Sequence, residues 1–358
     1  MQEEGQLIRV GISIGDLNGI GCEVILKTFE DSRMLELCTP VIFASAKTLS
    51  FQKNHFGLEL NFQGISEASQ AIEGKVNVVN VWKDAPPIAF GEPTEAGGSF
   101  AIQSLKAAVA ALKDGLVDVL VTAPINKKTA QSDQFRFPGH TDYLAQELRG
   151  ESLMFMVTET LKVGLLTDHV PVKDAPALIT QKRVTDKALA MEDSLIRDFG
   201  VQKPKIAVLG INPHSGDEGV IGREDEDILK PALQKLAENG HLVFGPFAAD
   251  TFFASQQHSR FDAVLASYHD QGLIPFKTLA FGKGVNFTAG LSRVRTSPDH
   301  GTAFDIAGKG EADPSSFREA VYMALQVFRN RREYELLSSN PLQKHRLKRM
   351  GKGGGKEK

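Results

Sequence analysis

Ile206-Ala207-Val208-Leu209-Gly210 is an apolar run that, four residues on, delivers His214. Two other stretches also deliver a histidine: Lys162-Val163-Gly164-Leu165-Leu166 leads to His169, and Ala263-Val264-Leu265-Ala266 leads to His269. Four to six aliphatic residues closed by Gly, Pro, Asn or Asp read as buried parallel strands, and open α/β sheets bind ligands beyond the carboxyl ends of their strands. Three imidazoles are therefore expected at one crevice. Three neutral nitrogen donors suit a divalent transition metal and leave coordination positions open for a substrate. A single histidine at such a position is ordinarily a loop residue satisfied by backbone partners; the recurrence among only nine histidines carries the metal reading. The separations are too long for a zinc finger, so the site is one assembled by the fold.

The pattern extends outward from these runs. Ile8 to Ile14 reads as a first strand, followed by a glycine turn and a helix from Cys22 to Phe29. Strands are expected at Val41 to Ala44, around Val76 to Val81 and at Val117 to Thr122. Between Phe100 and Lys113, Leu105, Ala108, Val109 and Leu112 recur at i, i+3, i+4 and i+7, the stripe of a helix packed on a sheet. Further helices are expected at Thr141 to Leu148, Arg183 to Phe199 and Glu224 to Glu238. Alternating strands and helices predict a three-layer α/β/α architecture, in two lobes about an active-site cleft. No Pro/Ser-rich linker marks a border, and Lys344 to Lys358, rich in Lys, Arg and Gly, reads as a mobile, solvated basic tail.

With 358 residues, 42% hydrophobic and 24% charged, the chain is of ordinary globular composition. A net charge of −3 gives no overall pull toward nucleic acid or an anionic membrane. Cys22 and Cys38 are too few for a disulfide framework, and neither has a CxxC neighbour. Met1 to Gly5 lacks a basic segment followed by an apolar one, and no run approaches the roughly 20 apolar residues that span a bilayer. The expectation is a cytoplasmic protein with neither nucleic acid nor membrane as partner.

Several polar constellations sit at strand ends. In Gly15-Asp16-Leu17-Asn18-Gly19-Ile20-Gly21 the glycines permit either a ligand approach at a helix N-terminus or a bare tight turn; the segment is neither a GxGxxG fingerprint nor a Walker loop. Thr122-Ala123-Pro124-Ile125-Asn126-Lys127 and Gly139-His140-Thr141 place a hydroxyl, an imidazole and free N–H donors where a phosphate fits, although Thr141 is equally suited to capping its helix. In Tyr268-His269-Asp270-Gln271-Gly272, Asp270 is suited to orient an imidazole or accept a proton. Lys277 and Arg295 suit a phosphate or carboxylate, with solvated loop charges as the alternative. Asp250 is a possible addition to the same crevice, or a helix cap.

Taken in order, these motifs, with Asn212-Pro213-His214 and Asp299-His300-Gly301-Thr302-Ala303, resemble the 4-hydroxythreonine-4-phosphate dehydrogenase family over roughly residues 8 to 330. The resemblance implies an isocitrate/isopropylmalate dehydrogenase-like fold, with a nucleotide-side lobe of residues 1–131 plus 296–343 and a metal, substrate and dimerisation lobe of residues 132–295. It implies NAD or NADP, one divalent metal (zinc, magnesium, manganese or cobalt) per site, and a homodimer with shared active sites. Residue by residue, it assigns metal ligation to His169, His214 and His269, and substrate binding to His140, Thr141, Lys277, Asn286 and Arg295. His300, Gly301, Thr302, Ala303 and Asp305 look like part of the nucleotide loop of the wider group, and no arginine in His300 to Gly308 advertises a 2′-phosphate. Leu17, Asn18 and Cys22 stand where the family commonly has Pro, Ala and Pro, a departure in loop shape.

The implied reaction is oxidation of the phosphorylated hydroxy amino acid 4-phosphooxy-L-threonine, with decarboxylation to 3-amino-2-oxopropyl phosphate, in pyridoxal 5′-phosphate biosynthesis. Asp270 and Lys277 are the candidates for proton handling. The nearest rival is a dehydrogenase of D-threonate or D-erythronate 4-phosphate; a more distant one is an acyltransferase or a metal- and phosphate-binding protein without redox chemistry.

Overall fold

A computed structural model describes residues 6–340 apart from 84, 134, 138, 151, 152 and 281; the basic tail expected over 344–358 lies outside the described residues. The strands are β1 (Arg9–Ser13), β2 (Thr39–Ala44), β3 (Phe62–Ile65), β4 (Val76–Asn80), β5 (Val119–Thr122), β6 (Leu153–Val157), β7 (Lys162–Leu165), β8 (Ile206–Leu209), β9 (Val243–Phe247), β10 (Ala263–Ala266), β11 (Val285–Ala289) and β12 (Val294–Pro298). The helices are α1 (Gly21–Glu30), α2 (Ala46–His55), α3 (Glu95–Lys113), α4 (Lys127–Ala130), α5 (His140–Leu148), α6 (Ala175–Leu178), α7 (Gln181–Arg197), α8 (Lys230–Glu238), α9 (Ala249–Ala254), α10 (His269–Leu279) and α11 (Ser315–Ser338), joined by short 3-10 segments and a π-helical turn.

All twelve strands form one sheet in the order β3-β4-β2-β1-β5-β12-β11-β6-β7-β10-β8-β9. From β3 to β12 every pairing is parallel, and so is every pairing from β7 to β9. The three pairings between these blocks, β12–β11, β11–β6 and β6–β7, are antiparallel. The two parallel blocks therefore point in opposite directions and meet across the middle of the sheet.

One face carries a continuous core. Val119, Val121, Phe155, Phe287 and Val294 of the central strands pack there with residues of α1, α7 and α11. On the opposite face the apolar packing divides. Leu105, Ala108, Val109 and Leu112 of α3, the stripe expected from the sequence, cover Val41, Phe43 and Leu120. Leu273 and Phe276 of α10 cover Val163, Leu165, Val264 and Ala266. Strand alternation explains what lies between: on β12, Val294 faces the continuous core and Arg295 faces the other way; on β11, Phe287 and Asn286 do the same.

The three-layer α/β/α expectation holds. Several elements carry no apolar-run signal. β11 and β12 contain Asn286, Thr288, Arg295 and Ser297, whose polarity resembles a loop, yet both are central strands. β3 is a short edge strand that is mostly exposed, and α11 caps the continuous core through Phe317, Ala320, Val321 and Ala324. The two halves are also tied by a buried ion pair: Arg331 of α11 donates through Nε to Asp198 Oδ1 at 2.5 Å, just beyond α7. Among the described residues no helix is long and apolar enough to cross a membrane.

Candidate active site

A cleft of about 580 Å³ opens where the second face of the sheet lacks apolar cover. Its floor is formed by Thr122 of β5, Arg295 and Ser297 of β12, Asn286 of β11, and Met154 and Met156 of β6; its walls come from the segments after β5, β7, β10 and β12. The crevice expected at strand carboxyl ends is thus a trough across the reversal of strand direction.

Arg295 is the floor's principal charge. Its side chain is 2% exposed. It donates through Nη2 and Nε to Thr122 Oγ1, at 2.6 and 3.2 Å, and through Nη1 to Thr288 Oγ1 at 3.0 Å. No carboxylate pairs with it among the described residues, and burial pulls the guanidinium down to about 9, so it stays charged at neutral pH. The alternative of a solvated loop charge does not hold for Arg295, which lies on a central strand, as does half-buried Asn286. A buried cation supported only by hydroxyls is costly unless an anion completes its shell. Two cleft-lining side chains also have unmet hydrogen-bonding atoms: His140 Nε2, which suits an anion if it carries the ring proton, and Asn286 Oδ1, which awaits a donor. Burial, reinforced by Arg295 and Lys127, holds His140 well below its ordinary value, so it presents a neutral imidazole.

Thr141 lies in the cleft, and the N-cap of α5 is Gly139 with no side-chain cap, so the capping alternative for Thr141 does not hold. Lys277, exposed on α10, donates to the Asp299 carbonyl at 3.2 Å, bridging the two walls.

The order β7-β10-β8 sets the three histidine-bearing loops side by side on one edge of the sheet. His169 and His269 both line the cleft, with ring centroids 5.9 Å apart. His269 Nδ1 meets Asp270 Oδ1 at 2.7 Å, which leaves Nε2 for a ligand, the outer-carboxylate arrangement of metal-binding histidines. Burial and nearby Lys127 keep His169 below its ordinary value, favouring the neutral form that ligates. His214 is exposed, in a left-handed conformation with φ 52°, and outside the cleft lining. Its loop is anchored by the buried carboxylate of Asp225, which accepts from Ile211 N and Asn212 N at 2.8 and 3.0 Å. Among the described residues no three His, Cys, Asp or Glu side chains are close enough to hold a metal. Asp250, in the first turn of α9, is exposed, caps nothing and lies outside the lining.

Of the nucleotide segment, His300 and Gly301 line the cleft, while Thr302, Ala303 and Asp305 do not. His300 Nε2 is buried without a partner. The loop is held from outside: Thr302 O accepts from Ile20 N at 3.0 Å, and Lys27 donates to Gly310 O and Ala312 O at 2.8 Å each. The glycine turn is its packing partner. A side chain at Gly15 would meet Pro124 O at 2.3 Å and one at Gly19 would meet Thr302 O at 2.7 Å, so close chain packing explains these glycines. Sequence reasoning left Lys127, Asp142, Asp168, Met154 and Met156 without roles, yet all line the cleft. The Met-x-Met spacing on β6, which puts both side chains on one face, was the available signal.

The family profile described as "Pyridoxal phosphate biosynthetic protein PdxA" matches residues 36–324. The chain belongs to the PdxA family. A 4-hydroxythreonine-4-phosphate dehydrogenase of Bacteroides thetaiotaomicron is 46% identical over 343 residues, 95% of this chain and 94% of that protein. A relative from Oceanobacillus iheyensis, whose name gives D-threonate 4-phosphate as substrate, is 35% identical over 89% of this chain and 97% of its own length. The crystal structure of the 4-hydroxythreonine-4-phosphate dehydrogenase of Klebsiella pneumoniae is similar with a TM-score of 0.78 and 32% identity, covering 92% of this chain and 99% of that one. PdxA relatives are thus matched along nearly their whole length.

Proposed function

We propose that this PdxA-family chain is a NAD(P)-dependent, metal-dependent dehydrogenase that oxidises 4-phosphooxy-L-threonine and decarboxylates it to 3-amino-2-oxopropyl phosphate, supplying pyridoxal 5′-phosphate formation in the cytoplasm. The observation that carries the reading is Arg295: a buried cation, partnered by hydroxyls, on the floor of a cleft that also holds the His169–His269 pair.

Arg295, Asn286, His140 and Thr141 take the phosphate, with Lys277 closing over it from α10. Phosphate bound there fixes the register of the substrate, so that its hydroxyl-bearing carbon falls beside the imidazoles. His169 and His269 would hold a borderline divalent ion, and His214 is assigned as the third donor although its loop leaves it outside the cleft lining; two imidazoles, one already oriented by a carboxylate, fit such an ion. A bound metal supplies Lewis acidity at the substrate hydroxyl, and a nicotinamide supplies the hydride acceptor. Asp270 and Lys277 are assigned to proton movement, Asp270 through His269 and Lys277 from about two turns further along α10. The nucleotide is assigned to the His300 to Asp305 segment, where His300 offers an unpartnered nitrogen and Gly301 open space.

The lobes are taken as residues 1–131 plus 296–343 and 132–295, with the cleft between them, supported by the reversal of strand direction at β12–β11. A homodimer with shared sites is supported by apolar side chains exposed beside all three histidine loops: Val172 at 68%, Val220 at 82% and Ile274 at 64%. The Oceanobacillus relative favours D-threonate 4-phosphate as the second reading. Assay of the purified protein with both phosphates, NAD and NADP, and added zinc, magnesium, manganese or cobalt decides between them. Faster turnover of 4-phosphooxy-L-threonine is expected, and no reduction of either nucleotide with any substrate overturns the reading.

A further inference from the structure

Three cations line the cleft: Arg295, Lys277 and Lys127. Arg295 donates to Thr122 and Thr288, and Lys277 to the Asp299 carbonyl. Lys127, the first residue of α4, makes no hydrogen bond or ion pair among the described residues, although it lies at a capped and ordered position: Asn126 Oδ1 accepts from Lys128 N and Thr129 N, both at 3.0 Å. Its chain runs along the entrance of α5, where a side chain at Gly139 would stand 3.7 Å from Lys127 Cε. That course runs beside His140, the next residue, whose Nε2 is buried without a partner and which lines the same cleft. Lys127 thus shares the cleft lining with Arg295, His140 and Thr141, beside the entrance of α5.

Charge balance asks for such a group. A phosphate monoester carries about −1.5 to −2 near neutral pH, and the proposed substrate adds a carboxylate. Asp142, Asp168 and Asp299 line the same cleft and repel both. His140 is held neutral, so the two charges of Arg295 and Lys277 leave a phosphate plus carboxylate, about −2.5 to −3, under-compensated.

We propose that Lys127 is a further substrate-binding residue, its ammonium pairing with an anionic oxygen of the substrate, on the phosphate or on the carboxylate. This rests on the anion-binding reading above, deepens it, and uses no metal or nucleotide.

The test is calorimetric titration of the full-length protein, Lys127→Met and Lys127→Arg with two probes that differ by one carboxylate, O-phospho-L-serine and O-phosphoethanolamine. The expected result is binding weakened about tenfold or more in Lys127→Met and largely restored in Lys127→Arg, with unchanged thermal midpoints. Weakening of both probes assigns the phosphate oxygen; weakening of phosphoserine alone assigns the carboxylate. Equal binding of both probes by parent and Lys127→Met overturns the proposal. In turnover, KM should rise more than kcat falls. Because titration needs no turnover, a parent that binds the probes but reduces no nucleotide would defeat the dehydrogenase reading and leave the role of Lys127 standing.

Discussion

Arg295 and Thr122, 173 positions apart, meet on adjacent parallel strands, where the guanidinium Nη2 donates to the hydroxyl at 2.6 Å in a site closed to solvent. The hydroxyl orients the cation without neutralising it, so the charge remains available to a ligand. Arg295→Met should lose an interaction of about 1.5–3 kcal/mol with the bound phosphate, some 10- to 150-fold in affinity. Inorganic phosphate titration checks this, and unchanged affinity would remove Arg295 from the anion site.

His269 is held by Asp270 through Nδ1. Asp270→Ala frees the ring, and affinity for zinc is expected to fall about 10- to 100-fold. Competition with a chromogenic chelator measures it. A metal-dependent rise in thermal midpoint should shrink in parallel.

His140 is half-buried with its Nε2 enclosed, and both burial and its cationic neighbours Arg295 and Lys127 disfavour protonation. Its folded-state pKa lies below its unfolded value, so between the two the unfolded chain binds the proton and the native one does not. Stability should therefore fall as pH drops below about 6.5, the ordinary histidine value, and this contribution is constant above it. Denaturant unfolding from pH 7.5 to 5 should show a shallower decline for His140→Gln than for the parent.

Arg331 and Asp198 form an ion pair with side chains 10% and 3% exposed, which fastens α11 beside the end of α7. Arg331→Ala strands the carboxylate, with Ser194 Oγ as the remaining donor to it among the described residues, and should cost about 3–5 kcal/mol. The double variant Arg331→Met/Asp198→Leu should recover much of that loss in urea unfolding.

Where burial is apolar, the elements were readable directly. The runs before His169, His214 and His269 became β7, β8 and β10, and the α3 stripe covers the sheet as its spacing requires. Where burial is polar, the signal inverts. Arg295 resembles a surface residue because its partners, Thr122 and Thr288, come from neighbouring strands. β11 and β12 were hidden for the same reason. The glycine turn was ambiguous for a different reason: its spacing allowed a ligand approach or a bare turn, and Pro124 and Thr302, which its glycines admit, are brought to it only by the fold.

Composition, apolar periodicity and motif order were sufficient for the α/β class, most parallel strands and the family, because each depends on local alternation or on residue identity along the chain. Strand order and direction decided the rest. The reversal at β12–β11–β6–β7 splits the apolar cover on one face and opens the cleft, and the adjacency of β7, β10 and β8 brings His169 and His269 together while leaving His214 exposed. Those relationships join residues a hundred or more positions apart, and only packing of the whole sheet sets the distances between them.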